Sequence, residues 1–167
     1  EPPNEVITIA NDQEQAEGRI FAAMTKTLER LGGDVTKYEI RVPNASKVKA
    51  IGTNYAGEAG GNYGLTLWSE LWAYSSENRR RLWDEMTQVP TRKYSLRWVE
   101  TYAGFLNESD LLWELYLQLY PKGDEQYVNP EAVRLFDDLE AYYIPDTRTI
   151  IYWSHTARMS WQTLEFL

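Results

Sequence analysis

Leu65-Thr66-Leu67-Trp68-Ser69-Glu70-Leu71-Trp72-Ala73-Tyr74 is the strongest strand signal in the chain. Alternation puts Leu65, Leu67, Leu71 and Ala73 on one face and Trp68, Glu70, Trp72 and Tyr74 on the other. Neither face is conventionally polar, so the pattern predicts a strand covered on both sides.

Working backwards, Gly57 to Gly64 holds four of the ten glycines and reads as a turn or loop. Before it, Lys37–Val42 and Lys47–Tyr55 both alternate polar and apolar residues and are separated by Pro43-Asn44, which predicts two strands. The β-branched run Val6–Ala10 predicts an opening strand. Asn11 or Asp12 caps the helix that follows, with Glu14 at the capping-box position for Asn11. Ile20, Phe21, Met24, Leu28 and Leu31 form its stripe, and Gly32-Gly33 ends it.

Working forwards, Ser76 caps a helix carrying Arg79-Arg80-Arg81, Leu82, Trp83 and Met86, which stops before Pro90. Tyr94, Trp98, Tyr102 and Phe105 recur at spacings of four, four and three, which favours a helix over 91–106. In the run 110–120, Trp113, Leu115, Leu117 and Leu119 alternate. The turn signal Pro121-Lys122-Gly123-Asp124 behind them tips the reading to strand, although the residue types also suit a helix. Asn129-Pro130 predicts a helix with Val133, Phe136, Leu139 and Tyr143 inward, ended by Pro145. Thr147–Trp153 is a final β-branched strand, and Met159–Leu167 reads as a last strand or a tail.

Helices interspersed with amphipathic strands, with no Gly-rich phosphate loop at a strand end, point to an α+β fold. The expectation is a ferredoxin-like sandwich, an antiparallel sheet with helices on one face, rather than a doubly wound parallel sheet. Without a linker or low-complexity segment, 1–167 reads as one domain.

Composition narrows the function classes. The 167 residues carry 17 Lys+Arg against 25 Asp+Glu, a net charge of -8, with no Cys and one His. That excludes disulfide frameworks, thiolate zinc sites, Cys nucleophiles and multi-His metal sites, and predicts neither a metal nor a cofactor. The acidic balance argues against nucleic acid as a partner. No apolar run approaches a membrane span. The chain opens Glu1-Pro2-Pro3 without Met, as a processed or trimmed product would. Seven Trp and 12 Tyr against four Phe leave most rings with a polar tip, a bias found at protein interfaces.

The landmarks from Ile51 to about Leu112 resemble the NIPSNAP family. The strand end Ile51-Gly52-Thr53-Asn54-Tyr55 leads through a Gly-containing turn to Leu71-Trp72-Ala73-Tyr74-Ser75-Ser76 and a helix opening with Arg79-Arg80-Arg81. Leu106-Asn107-Glu108-Ser109-Asp110-Leu111-Leu112 is similar to the family's Glu-Ser turn. Residues 34–46 and the longer Gly-rich turn depart from that pattern. The resemblance implies a dimeric α+β barrel and, for eukaryotic members, a mitochondrial setting. On the same resemblance, a shortened second repeat would begin near residue 113.

Trp68, Trp72 and Tyr74 on one strand face are the candidate ligand- or partner-binding surface, either as a pocket wall or as an oligomer seam. Glu70 between them and His155 in Tyr152-Trp153-Ser154-His155-Thr156 are the candidate proton-handling groups, with Glu114 a further carboxyl in apolar sequence. The wider barrel class implies oxygenase-type residues, for which Asn54, Asn62, Trp72 and Arg80 are of suitable kind. Arg79, Arg80 and Arg81 point about 100° apart on a helix and form no clamp by themselves, leaving Arg80 as a candidate contact. The first functional expectation is an accessory or interaction subunit that forms a homodimer or joins a larger assembly. The second is a small-molecule-binding barrel, or a cofactor-independent oxygenase or isomerase for an apolar aromatic ligand. The third is an acidic inhibitor or immunity protein for a basic partner.

Overall fold

The computed structural model describes residues 3–52, 61–86, 89, 91–105 and 107–153. The chain folds as two compact units, Glu1–Trp113 and Glu114–Leu167, both mixing helix and strand or built around a sheet.

The first unit opens with β1 (Glu5–Ile9), whose Ile7, Ile9 and following Ala10 are fully buried. Asp12 then starts a helix by accepting the Gln15 N–H at 2.8 Å, so the cap is Asp12. α1 (Gln13–Ala16) passes through a π-helical turn, Glu17–Phe21, into α2 (Ala22–Arg30). Single π turns insert one extra residue and re-aim side chains, often at functional sites. The helix closes with Gly32 at φ +83°, while Gly33 N–H reaches back to the Leu28 carbonyl and Gly32 N–H to that of Glu29. This is the left-handed ending that the glycine pair predicts.

β2 (Asp34–Val35), β3 (Glu39–Arg41) and β4 (Lys47–Ile51) form an antiparallel run. β4 pairs in parallel with β1, β1 with β5 (Tyr63–Ser69), and β5 with β6 (Leu96–Glu100). The sheet order is β2-β3-β4-β1-β5-β6, a mixed sheet with four adjacent parallel strands. The α+β character holds, but the expected antiparallel ferredoxin-like sheet does not. The physical reason lies in the connection from β1 to β4. An 18-residue helical segment followed by the small hairpin β2–β3 gives the chain enough length to return to the starting edge and run parallel.

Register assigns the two faces. Val6, Thr8, Val48, Ala50, Leu65, Leu67, Leu96 and Trp98 share one, while Ile7, Ile9, Ile51, Thr66, Trp68, Arg97 and Val99 share the other. On the first, Ala16, Phe21, Met24 and Leu28 of the helix pack with Ala10, Ile40, Val48 and Ala50. On the second, Trp68 meets Trp83 of α3 (Glu77–Glu85), ring centroids 4.9 Å apart.

Two further expectations change here. The strand foreseen over 65–74 stops at Ser69, because Glu70 adopts the left-handed conformation (φ 59°, ψ 46°) and Leu71–Ala73 turns as a 3-10 helix. The helix foreseen over 91–106 is replaced by β6. A spacing of four is even, so Tyr94, Trp98 and Tyr102 satisfy the period of a strand as well as that of a helix, and β-branched or aromatic residues favour the former.

α4 (Asp110–Leu119) stands where a strand was expected. Its buried residues Leu111, Leu112, Tyr116 and Leu119 follow helical spacing, and the Ser109 carbonyl takes the Trp113 N–H at 2.9 Å. In the second unit, Tyr116, Leu119, Tyr120 and Ile144 form a core with Tyr142, Ile151 and Trp153 beside it. Its antiparallel sheet is β7 (Val133–Arg134), β8 (Ala141–Ile144) and β9 (Thr149–Tyr152). β7 and β8 replace the helix expected after Asn129-Pro130. The Asn129 side chain instead accepts the Glu131 N–H at 3.0 Å and donates to the Gln118 carbonyl at 2.9 Å, a turn that competes with a helix cap. The expected terminal element 159–167 lies outside the described residues.

Candidate functional site

The sheet's parallel strands all end on one edge, and polar residues collect there. β1 is followed by Ala10 and Asn11-Asp12, β5 ends in Ser69 before Glu70, and β6 ends in Glu100 before Thr101. From β1 the chain leaves toward β4, and from β5 it leaves toward β6 on the opposite side. A parallel sheet opens a crevice at such a reversal. Gly52, just after β4, lets the helix start approach closely: a Cβ there would sit 2.9 Å from the Gln13 backbone nitrogen. The Gln13 side chain binds both sides of that strand end, donating to the Ala50 carbonyl at 3.1 Å and accepting the Gly52 N–H at 2.9 Å.

Glu70 is the centre of this edge. It is 6% exposed. Its carboxylate forms an ion pair with Arg19 of the π-helical turn and accepts the Trp72 indole N–H at 2.6 Å. Its backbone N–H donates to the Glu100 carbonyl at 3.0 Å, and its own carbonyl accepts the Ala73 N–H at 3.1 Å and a long 3.5 Å contact from Asn11 Nδ2. A left-handed non-glycine residue costs about 1–2 kcal/mol, so these bonds hold Glu70 in a position its backbone does not favour. Trp72 is fixed in turn: its backbone N–H donates to Thr101 Oγ1 at 3.0 Å, and its ring meets Phe105 edge-on at 5.7 Å.

Behind Glu70, Arg79 donates to the Ala73 carbonyl at 2.7 Å and to the Asn11 carbonyl at 3.4 Å. Among the described residues, Asn11 Oδ1 beside Glu70 is a buried polar atom without a protein partner, and so, in the core, is the Tyr74 hydroxyl. Burial raises the Tyr74 phenol above its ordinary range, with the Arg79 charge pulling weakly the other way. The phenol is therefore neutral and can donate.

The predicted residues separate in this environment. Trp68 and Tyr74 are core side chains, stacked edge-on at 5.5 Å, and the Trp68 indole N–H donates to Thr66 Oγ1 at 3.1 Å. Trp72 alone of the three lies on the polar edge, because the chain turns at Glu70; the three do not share a strand face. Arg80 lies half-buried in α3, Arg81 pairs with Glu77 at 2.6 Å, and Arg79 is the arginine that reaches the edge. Asn62 is bound by Arg92 Nε through its backbone and side-chain oxygens, at 2.7 and 3.0 Å. Glu114 is exposed in the second unit. His155 and Asn54 lie outside the described residues. Arg19 and Asn11 were missed, and Arg19 lies 51 residues from Glu70, with no local pattern to link them.

A second surface lies on β6. Among the described residues no strand pairs with its outer edge. Leu96 is 55% and Trp98 59% exposed, flanked by Tyr94 at 69% and Tyr102 at 74%. On the opposite face Arg97 donates to the Trp83 and Met86 carbonyls at 2.9 and 3.0 Å and lies 3.7 Å from the Trp83 ring centroid. Burial lowers its pKa to about 10, with Asp84 acting in the opposite sense.

Among the described residues no group of three His, Asp or Glu side chains is placed to hold a metal ion, and no helix is long and apolar enough to cross a membrane. No known family matches the chain, and no curated protein matches it.

Proposed function

We propose that the protein is an interaction subunit that pairs with a second copy of itself through the outer edge of β6. The observation that carries this reading is the exposed aromatic row along an edge strand. Unpaired edges invite another strand, and natural proteins usually blunt them with charge, proline or a bulge. Here two of the three exposed alternate positions of β6 carry Leu96 and Trp98, and the third carries Glu100.

The row is symmetric about Trp98. Tyr94 and Tyr102 each lie four residues from it. An antiparallel pair of β6 strands with its two-fold axis at Trp98 therefore sets Trp98 against Trp98, Leu96 against Glu100, Arg97 against Val99, and Tyr94 near Tyr102. No like charges oppose one another, and the same patch serves both copies, as a two-fold interface requires. This keeps the homodimer reading drawn from composition but moves its surface from Trp68 and Tyr74, which are buried, to Trp98 and its neighbours.

The net charge of -8 on each copy opposes association at long range. Self-association should therefore tighten as salt screens that repulsion. Sedimentation velocity across a concentration series tests both points. The expected result is a concentration-dependent dimer that Trp98→Glu converts to monomer. A wild-type chain that stays monomeric at about 100 µM, or a dimer untouched by Trp98→Glu, overturns the proposal.

A further inference from the structure

We infer that the crevice at the carboxyl ends of β1 and β5 is a binding site for a small cationic molecule, one whose ammonium or guanidinium group takes Arg19's place on Glu70. This goes beyond the assembly reading and is independent of β6.

Topology supplies the location: the chain reverses direction across the sheet between β1 and β5, and ligands of parallel sheets bind outside the strand ends at that point. The chemistry supplies the charge. A phosphate site would present a glycine turn and free N–H groups at the helix start. Here the turn is Ala10-Asn11-Asp12, and the Asp12 carboxylate already occupies the helix start by accepting the Gln15 N–H. Apart from Arg19 and Arg79, whose guanidinium groups are already bonded to protein oxygens here, the groups that remain are acceptors. Glu70 carries a buried carboxylate, and beside it Asn11 Oδ1 is buried without a protein partner. The direction of the Asn11 amide is fixed by its Nδ2 facing the Glu70 carbonyl, which leaves the oxygen turned toward a donor.

Arg19 shows what the carboxylate accepts. Its side chain is about half exposed (48%) while that of Glu70 is 8% exposed, so the cation approaches from solvent and the anion is fixed. A freely diffusing guanidinium or ammonium can occupy the same position on the Glu70 carboxylate. The half-buried Trp72 ring, held by its indole N–H on Glu70 and edge-on against Phe105, offers a flat surface on which a guanidinium stacks. The acidic chain concentrates cations near the opening.

Calorimetric titration of the full chain with agmatine, which carries a guanidinium and an ammonium, tests the assignment, with spermidine as a second probe. Saturable binding is expected. Glu70→Gln should weaken it at least tenfold, and Arg19→Gln should tighten it at least threefold by removing the resident competitor. Far-UV circular dichroism checks that each variant folds. Should Glu70→Gln fail to fold, the Arg19 arm decides alone: tighter binding supports the site, and unchanged or weaker binding overturns it. Absence of saturable binding of either probe to both the wild type and Arg19→Gln at millimolar concentration also overturns it.

Discussion

Trp68 and Trp98 occupy neighbouring strands of one sheet, and their environments are opposite. Trp68 sits on β5, between β1 and β6, on the face covered by α3, and is shielded by Tyr74 and Trp83. Trp98 sits on the outer strand and on the other face, where the helical cluster centres on β1, β3 and β4 residues. Residue type therefore says little about the role of a ring here. Strand position and the helix above that face decide it.

The largest test of this contrast is truncation. Trp68→Ala should destabilise the fold by about 3–5 kcal/mol, whereas Trp98→Ala should change the stability of the monomer by no more than about 0.5 kcal/mol. Urea unfolding of both at low protein concentration measures the difference, and equal losses would break the comparison.

Alkaline titration sharpens it next. Burial is the first cause of raised phenol pKa values at Tyr74, Tyr116 and Tyr120, the last pushed up to about 12. In each case the folded state retains a proton that the unfolded chain releases near pH 10. The associated stability is present below that pH and is lost as the pH rises toward the folded values. Arg97, lowered to about 10, acts in the opposite direction over the same interval, so three tyrosines oppose one arginine. Tyrosinate absorbance should lag in the native protein and rise together with loss of the circular dichroism signal. A smooth titration of all tyrosines while the fold persists would contradict the assigned burial.

The smallest expected effect is at the Tyr74 hydroxyl. Removing a buried polar group that lacks a protein partner should relieve a penalty, so Tyr74→Phe should stabilise by about 1 kcal/mol. The same change should leave agmatine binding unchanged, because the Tyr74 ring belongs to the core and not to the polar edge. A thermal melt with and without agmatine reads both effects.

Elements with local signatures were legible in the sequence. The opening strand, the capped helix with its glycine ending, the strand pair before residue 52 and the arginine-bearing helix all follow from periodicity and capping. The 91–106 and 110–120 segments were read the wrong way round because their spacing fits both periods, and only burial tells which applies. Asn129-Pro130 failed for a related reason: the Asn side chain that caps a helix also stabilises a turn, and contact with the Gln118 carbonyl chose the turn. Of the candidate site, Glu70 and Trp72 were named from their sequence setting. Arg19 and Asn11 meet Glu70 from 51 and 59 residues away in the chain, where no local pattern links them.

By itself the sequence determined an acidic, Cys-free α+β chain rich in Trp and Tyr, with most of its helix starts and its first strands in place. Those properties depend on composition and on neighbours within a few residues. The parallel order of four strands, the left-handed turn at Glu70, the pairing of Glu70 with Arg19 and the exposure of Trp98 were decided only by tertiary structure. Each depends on which strands become neighbours and which face a helix covers, and the free energy of burial that selects among those arrangements is shared across residues distant in sequence.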